Sequence, residues 1–295
     1  MRRARSLVLL GAGLLIASLA ACADSGSDTA GAAATVSPTS AGTVAAETCS
    51  KDSLKTLEGG TFTVATDKPA YAPWFSGDDP TNGKGYESAT AYAVAEELGF
   101  AKDEVKWVVA SFNSVIAPGP KPFDVDINQV SITPERAKSL DFSSGYYDVR
   151  QAVVTTKGSK IAGATTLADL KDAKLGAQVG TTSYTAITEQ IEPTAQPAVY
   201  DSNDLGKAAL KNGQIDGLVV DLPTAFYITS AELDDGVIVG QLPAAEKPEQ
   251  FGFVLDKGSS LTPCVSQAVD ALRKDGTLAG LQEKYLTQAG APELD

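Results

Sequence analysis

The chain contains no histidine. That absence removes the usual general base near neutral pH, a common zinc ligand and the serine–histidine–aspartate arrangement together. Its cysteines are Cys22, Cys49 and Cys264, too far apart for a cysteine-rich metal site. No metal and no cofactor is therefore expected. What remains for chemistry is charge and hydrogen bonding. Gly180, Thr181, Thr182 and Ser183 sit between a strand-like and a helix-like run, where free backbone N–H groups suit an anion. Asp67 ends the first strand-like run, and Asp221 follows the run 217–220. Either carboxylate could hold a cation, with an N-cap on the following helix as the plain alternative for Asp221. Arginine suits a carboxylate because its fork donates two parallel hydrogen bonds. Arg136 is a candidate, with a surface salt bridge as its plain alternative.

Alternating strands and helices must position these groups. Residues 61–65, 105–110 and 123–128 alternate or cluster apolar side chains as strands do, and 88–98 spaces them at helical intervals up to Gly99. Residues 134–140 predict a short helix with Pro134 in its first turn and Thr133 as its cap. Strands are expected at 149–155, 174–179, 217–220, 237–239 and 251–255. Helical runs are expected at 167–170, 180–190, 205–212, 223–230 and 263–285, the last broken at Gly276. This alternation predicts an α/β chain with mostly parallel sheets, in which ligands bind at the carboxyl ends of strands.

The start of the chain reads differently. Arg2, Arg3 and Arg5 precede an apolar run at 7–19, the pattern of a secretion signal and too short for a membrane span. The run ends in Leu19, Ala20, Ala21 and Cys22, which resembles a bacterial lipobox; residues 1–21 would be removed and Cys22 would carry the lipid. Residues 22–48 are rich in Ala, Gly, Ser and Thr and read as a flexible tether. Cys49 and Cys264 then remain, as a disulfide allowed outside the cell or as two buried thiols. Of the 295 residues, 43% are hydrophobic and 21% charged, as in soluble globular proteins. A net charge of -13 repels nucleic acid and anionic lipid, leaving the lipid anchor as the expected membrane contact.

Residues 130–147, VSITPERAKSLDFSSGYY, resemble the signature of the extracellular solute-binding proteins of family 3. TVATD at 63–67, GYE at 85–87 and GQIDGLVVDLP at 213–223 agree with it in order. The resemblance implies a two-lobed periplasmic-binding-protein type II fold with two hinge strands. Lobe one would comprise residues 50–147 and 252–295, and lobe two residues 148–251. It implies capture of a polar amino acid and delivery to an ABC transporter permease by a monomer held at the outer face of the cytoplasmic membrane. Arg136 matches the arginine that grips the ligand carboxylate, with Ser131, Thr181 and Thr182 as hydroxyl partners and Asp221, then Asp67, for the ammonium. Tyr71, Trp74 and Phe112 match positions that pack on the ligand side chain. Gln129 departs from the Gly or Ser of many members. An enzyme resembling cyclohexadienyl dehydratase and a ligand-sensing domain are the alternatives.

Overall fold

The computed structural model describes residues 49–295 apart from 245–246 and 288–289. The expected signal peptide, Cys22 and the whole of the expected tether lie outside the described residues. The chain runs through β1 (Phe62–Thr66), α1 (Tyr86–Glu97), β2 (Val105–Val109), α2 (Phe112–Ile116), β3 (Val125–Asp126), β4 (Leu140–Phe142) and β5 (Tyr147–Val149). It continues through β6 (Gln151–Thr156), β7 (Leu175–Gln178), α3 (Thr182–Ala186), β8 (Ala198–Tyr200), α4 (Asn203–Lys211), β9 (Gly217–Asp221), α5 (Leu222–Tyr227) and β10 (Gly236–Gln241). It ends with β11 (Glu249–Phe251), β12 (Val254–Asp256), α6 (Thr262–Lys274) and α7 (Thr277–Tyr285).

Two five-stranded sheets result, in the orders β2-β1-β3-β12-β4 and β10-β6-β9-β7-β8. The expectation of mostly parallel sheets needs correction. β1 pairs parallel with β2 and β3, and β7 with β8 and β9. β12 and β6 are antiparallel to their neighbours. Each of these enters its sheet directly from a crossing, without the crossover helix that a parallel connection needs.

Both sheets are covered on both faces, which explains their continuous apolar runs. In β6, Val153 packs into one core of the second sheet while Ala152 and Val154 pack into the other. In the first sheet Phe62 and Val64 face α1 and α6, and Ala65 faces α2. The GYE motif has a steric cause at its glycine. Gly85 precedes α1 at φ +95°, and a Cβ there would lie 2.4 Å from the Trp74 carbonyl oxygen. The helix expected at 134–140 is reduced to one 3-10 turn, Arg136–Lys138, because Leu140 pairs with Asp256 of β12.

The chain crosses between the sheets in β5 and β11, which pair antiparallel as a two-stranded ribbon. A Cys49–Cys264 disulfide spans 215 residues and ties the first described residue to α6. The tail makes a further passage. Leu278 and Leu286 belong to the core of the first sheet, yet Leu294 is buried in the core of the second. The Leu294 amide donates to the Gln241 carbonyl at 3.0 Å, and the Gln241 amide to the Pro292 carbonyl at 2.8 Å. Among the described residues, no helix is long and apolar enough to cross a membrane.

Candidate ligand-binding cleft

The carboxyl ends of the parallel strands of both sheets face one cleft. Asp67 follows β1, Gln129 follows β3, Gly180 and Thr181 follow β7, and Asp221 ends β9. Asp67, Tyr71, Phe112, Gln129, Thr181 and Asp221 line a single cavity there. Asn128, Gln178 and Asn203 complete its wall. None of these three carries a sequence signal, because an isolated amide in a loop or at the end of an element makes no pattern. A neighbouring recess shares Tyr71, Gln129 and Asn203 and adds Asp204, Lys207 and Glu232. The Lys207 ammonium donates to Asp204 at 2.9 Å and Glu232 at 2.7 Å, so that end of the cleft carries its own counter-ion. Burial, then the Asp204 carboxylate, raises the Tyr71 phenol well above its ordinary value.

Arg136 stands beside the cavity and touches both sides of the cleft. Nη1 donates to the Ser131 carbonyl at 2.6 Å and Nη2 to the Gly180 carbonyl at 2.8 Å. Its guanidinium lies 5.5 Å from the centre of the Phe112 ring, within cation–π range. Two of its five N–H groups are spent on these carbonyls, which leaves three. Burial disfavours the charge, whereas the carboxylates of Glu249 and Asp221 favour it.

Asp221 accepts from Gln151 Nε2 at 2.8 Å and does not cap α5 with its side chain. It is half-buried, with surface toward the cavity and densely packed protein around it. That burial, and next the Glu249 carboxylate, push its carboxyl up to about 8. Asp67 accepts from the amides of Lys68 at 2.7 Å and Phe112 at 3.1 Å.

The hydroxyls divide their labour. Thr181 Oγ1 donates to the Gln178 carbonyl at 2.7 Å and caps α3 by accepting from the Tyr184 amide, so its single hydrogen is used. Ser131 Oγ and Thr182 Oγ1 both donate to Glu249 Oε1, at 2.5 Å and 2.6 Å. Gln129 has φ +49°, in the left-handed region that costs a non-glycine residue energy. The cost is offset by Glu87, whose fully buried carboxylate accepts from both the amide and the side chain of Gln129. Tyr146 Oη donates to the same carboxylate at 2.5 Å. Even so, burial pushes Glu87 up to about 7.

Trp74 is not brought to the cavity. It is fully buried against Tyr86, Tyr147 and Phe251, and its indole N–H donates to Thr224 Oγ1 at 3.0 Å. An aromatic in a polar loop reads like a ligand wall, but here its area serves the core.

Two sheets joined by a crossing ribbon, with a polar cleft at their strand ends, define a two-lobed binding protein of the periplasmic type II class. Residues 62–288 match the family described as bacterial extracellular solute-binding proteins, family 3, and the chain belongs to that family. It is 33% identical over 239 residues to the L-cystine-binding protein TcyJ of Escherichia coli strain K12, covering 78% of this chain and 84% of TcyJ. It is 29% identical to an L-arginine-binding protein of Pseudomonas aeruginosa, covering 76% and 90% of the two chains. Among solved structures it resembles an ancestral arginine-binding protein bound to glutamine, with 30% identity and TM-score 0.64, over 77% of this chain and 97% of that one. It also resembles the ancestral amino acid-binding protein AncCDT-1, a precursor of cyclohexadienyl dehydratase, with 30% identity and TM-score 0.62, over 77% and 96%.

Proposed function

We propose that this solute-binding protein captures a free amino acid in the cleft and delivers it to an ABC importer. The carrying observation is that a basic and an acidic group meet at one cleft: the Arg136 guanidinium stands beside the cavity, and Asp221, whose carboxyl it influences electrostatically, lines it. A zwitterion needs a cation and an anion so placed, because leaving either of its charges unpaired in a dry site costs several kcal/mol. The named relatives bind cystine and arginine, which supports the same class of solute. We read residues 50–147 with 252–295 as one lobe and 148–251 as the other, with the end of the tail from Pro292 packing onto the second. We read the cleft as a site of binding and not of turnover, because the named relatives are amino acid-binding proteins.

Calorimetric titration of the purified protein with L-arginine, L-glutamine and L-cystine, each alone, tests this. Asp221 supplies the sign of the pH dependence. Without ligand its carboxyl is raised to about 8, so below that pH it is mostly protonated. Pairing with an ammonium requires the carboxylate, so binding releases a proton. Affinity is expected to climb by up to about tenfold per unit from pH 6 to 8 and then level off. Asp221→Asn should bind weakly at every pH and lose the slope. A pH-independent affinity shared by both proteins would remove the ammonium from Asp221.

We further propose that Cys22 carries a lipid anchoring the protein outside the cytoplasmic membrane, supported by the run 19–22 after an apolar stretch. Cys22→Ser should appear in the soluble fraction or stay unprocessed. Mature wild-type protein whose mass includes no lipid would end this reading.

A further inference from the structure

Glu249 opens the crossing strand β11, and nothing in the composition of its segment draws attention to it. Its position in the cleft does. Oε1 accepts from Ser131 Oγ on the first-sheet side and from Thr182 Oγ1 at the start of α3 on the second-sheet side. Oε2 lies 3.4 Å from Nε2 of Gln151, the residue that opens β6. That amide also reaches Asp221, and its Oε1 accepts from Ser183 Oγ at 2.7 Å. One carboxylate therefore gathers donors from both sides of the cleft and from the strand that joins them.

A hydroxyl carries one donor hydrogen. Those of Ser131 and Thr182 are both spent on Glu249, so neither can be given to a ligand at the same time. The Arg136 guanidinium, bonded to the Ser131 carbonyl, stands close enough to feel the Glu249 charge but makes no ion pair with it, so its remaining donors stay available. Glu249 supplies these hydroxyls with a carboxylate from the chain itself.

We propose that Glu249 is an internal occupant of the carboxylate position: it latches the two sides together without ligand, and an incoming amino acid displaces it to claim Ser131 and Thr182. The displacement step rests on the amino-acid reading above; the latch does not. A latched cleft is closed but not competent, and the apparent affinity falls by the competent fraction. Were about nine molecules in ten latched, freeing them would tighten binding about tenfold.

The test compares wild type with Glu249→Ala. In small-angle scattering without ligand, the variant should have a larger radius of gyration. In titrations with L-arginine, L-glutamine and L-cystine, each alone, it should bind the accepted amino acid about tenfold more tightly. Glu249→Gln keeps the shape and a neutral acceptor, so it should fall between the two, and it serves if the alanine variant does not fold. Ligand-free scattering identical to wild type overturns the latch. An opened variant with unchanged or weaker affinity overturns the displacement and makes Glu249 an ordinary contact. If none of the three amino acids binds either protein, the amino-acid reading and the displacement fall together, while the scattering still decides the latch.

Discussion

Arg136→Ala should weaken amino-acid binding by about thirtyfold to several thousandfold, equivalent to roughly 2 to 5 kcal/mol. The range is that of truncating one partner of a desolvated charge pair, which strands the other charge in a dry site. Two features of Arg136 place it high in that range. Its guanidinium is fixed by the carbonyls of Ser131 and Gly180, so little order remains to be lost when a carboxylate arrives. Those same bonds reach from one side of the cleft to the other, so truncation loosens the closed form as well. Arg136→Lys should restore little, because one ammonium cannot hold two carbonyls in divergent directions and still present a fork. Titration with an amino acid and with its carboxamide separates the effects. The carboxamide should bind wild type poorly and lose much less on truncation. The side chain meets solvent along part of its length, so the thermal midpoint should change little. An alanine variant that keeps wild-type affinity would end the clamp hypothesis.

Breaking the Cys49–Cys264 disulfide should cost stability on a similar scale. The bridge closes a loop of 215 residues. In the chain-entropy picture a loop of that length restricts the unfolded chain by about 5 kcal/mol, and residual structure in the unfolded state reduces the gain. Set against a typical total of about 5–15 kcal/mol, that is a third or more. Denaturant unfolding of oxidised and reduced wild type measures it directly. Because Cys264 packs in the first-sheet core beside Val265 and Ala268, the matching double variant should be Cys49→Ala with Cys264→Ala, which adds no buried hydroxyl. Coincident midpoints for the oxidised and reduced protein would show that the bridge adds nothing.

Much of the site is legible in the sequence because strand ends are. Asp67 and Asp221 close apolar runs, and an α/β pattern sends such positions to the ligand face. Arg136 is legible through the run that carries it; by composition alone it stays indistinguishable from a surface arginine. Glu249 is hidden for a physical reason. Its partner Ser131 lies 118 residues away, and a lone acid between Pro248 and Gln250 has no periodicity to report. Gln129 is legible as a departure, but its support by Glu87 requires α1 to be seen packed beneath it. Trp74 shows the opposite failure. Loop aromatics are ambiguous until packing is known, and 0% exposure decides for the core. Strand direction in β6 and β12 depends on which strands follow a crossing, which hydropathy does not encode.

The tail has a mechanical meaning. Leu286 is fixed in the first core, and the Pro292 carbonyl is bonded to the edge strand β10 of the second sheet. Six peptide steps separate these two anchorages, and a fully extended chain covers at most about 3.6 Å per step. The segment is therefore a leash whose taut length is about 20 Å. Whatever arc the crossing ribbon would allow, the two bodies cannot part at this point by more than the leash permits. Wide opening thus requires either slack in that segment or the peeling of Leu294 from its core.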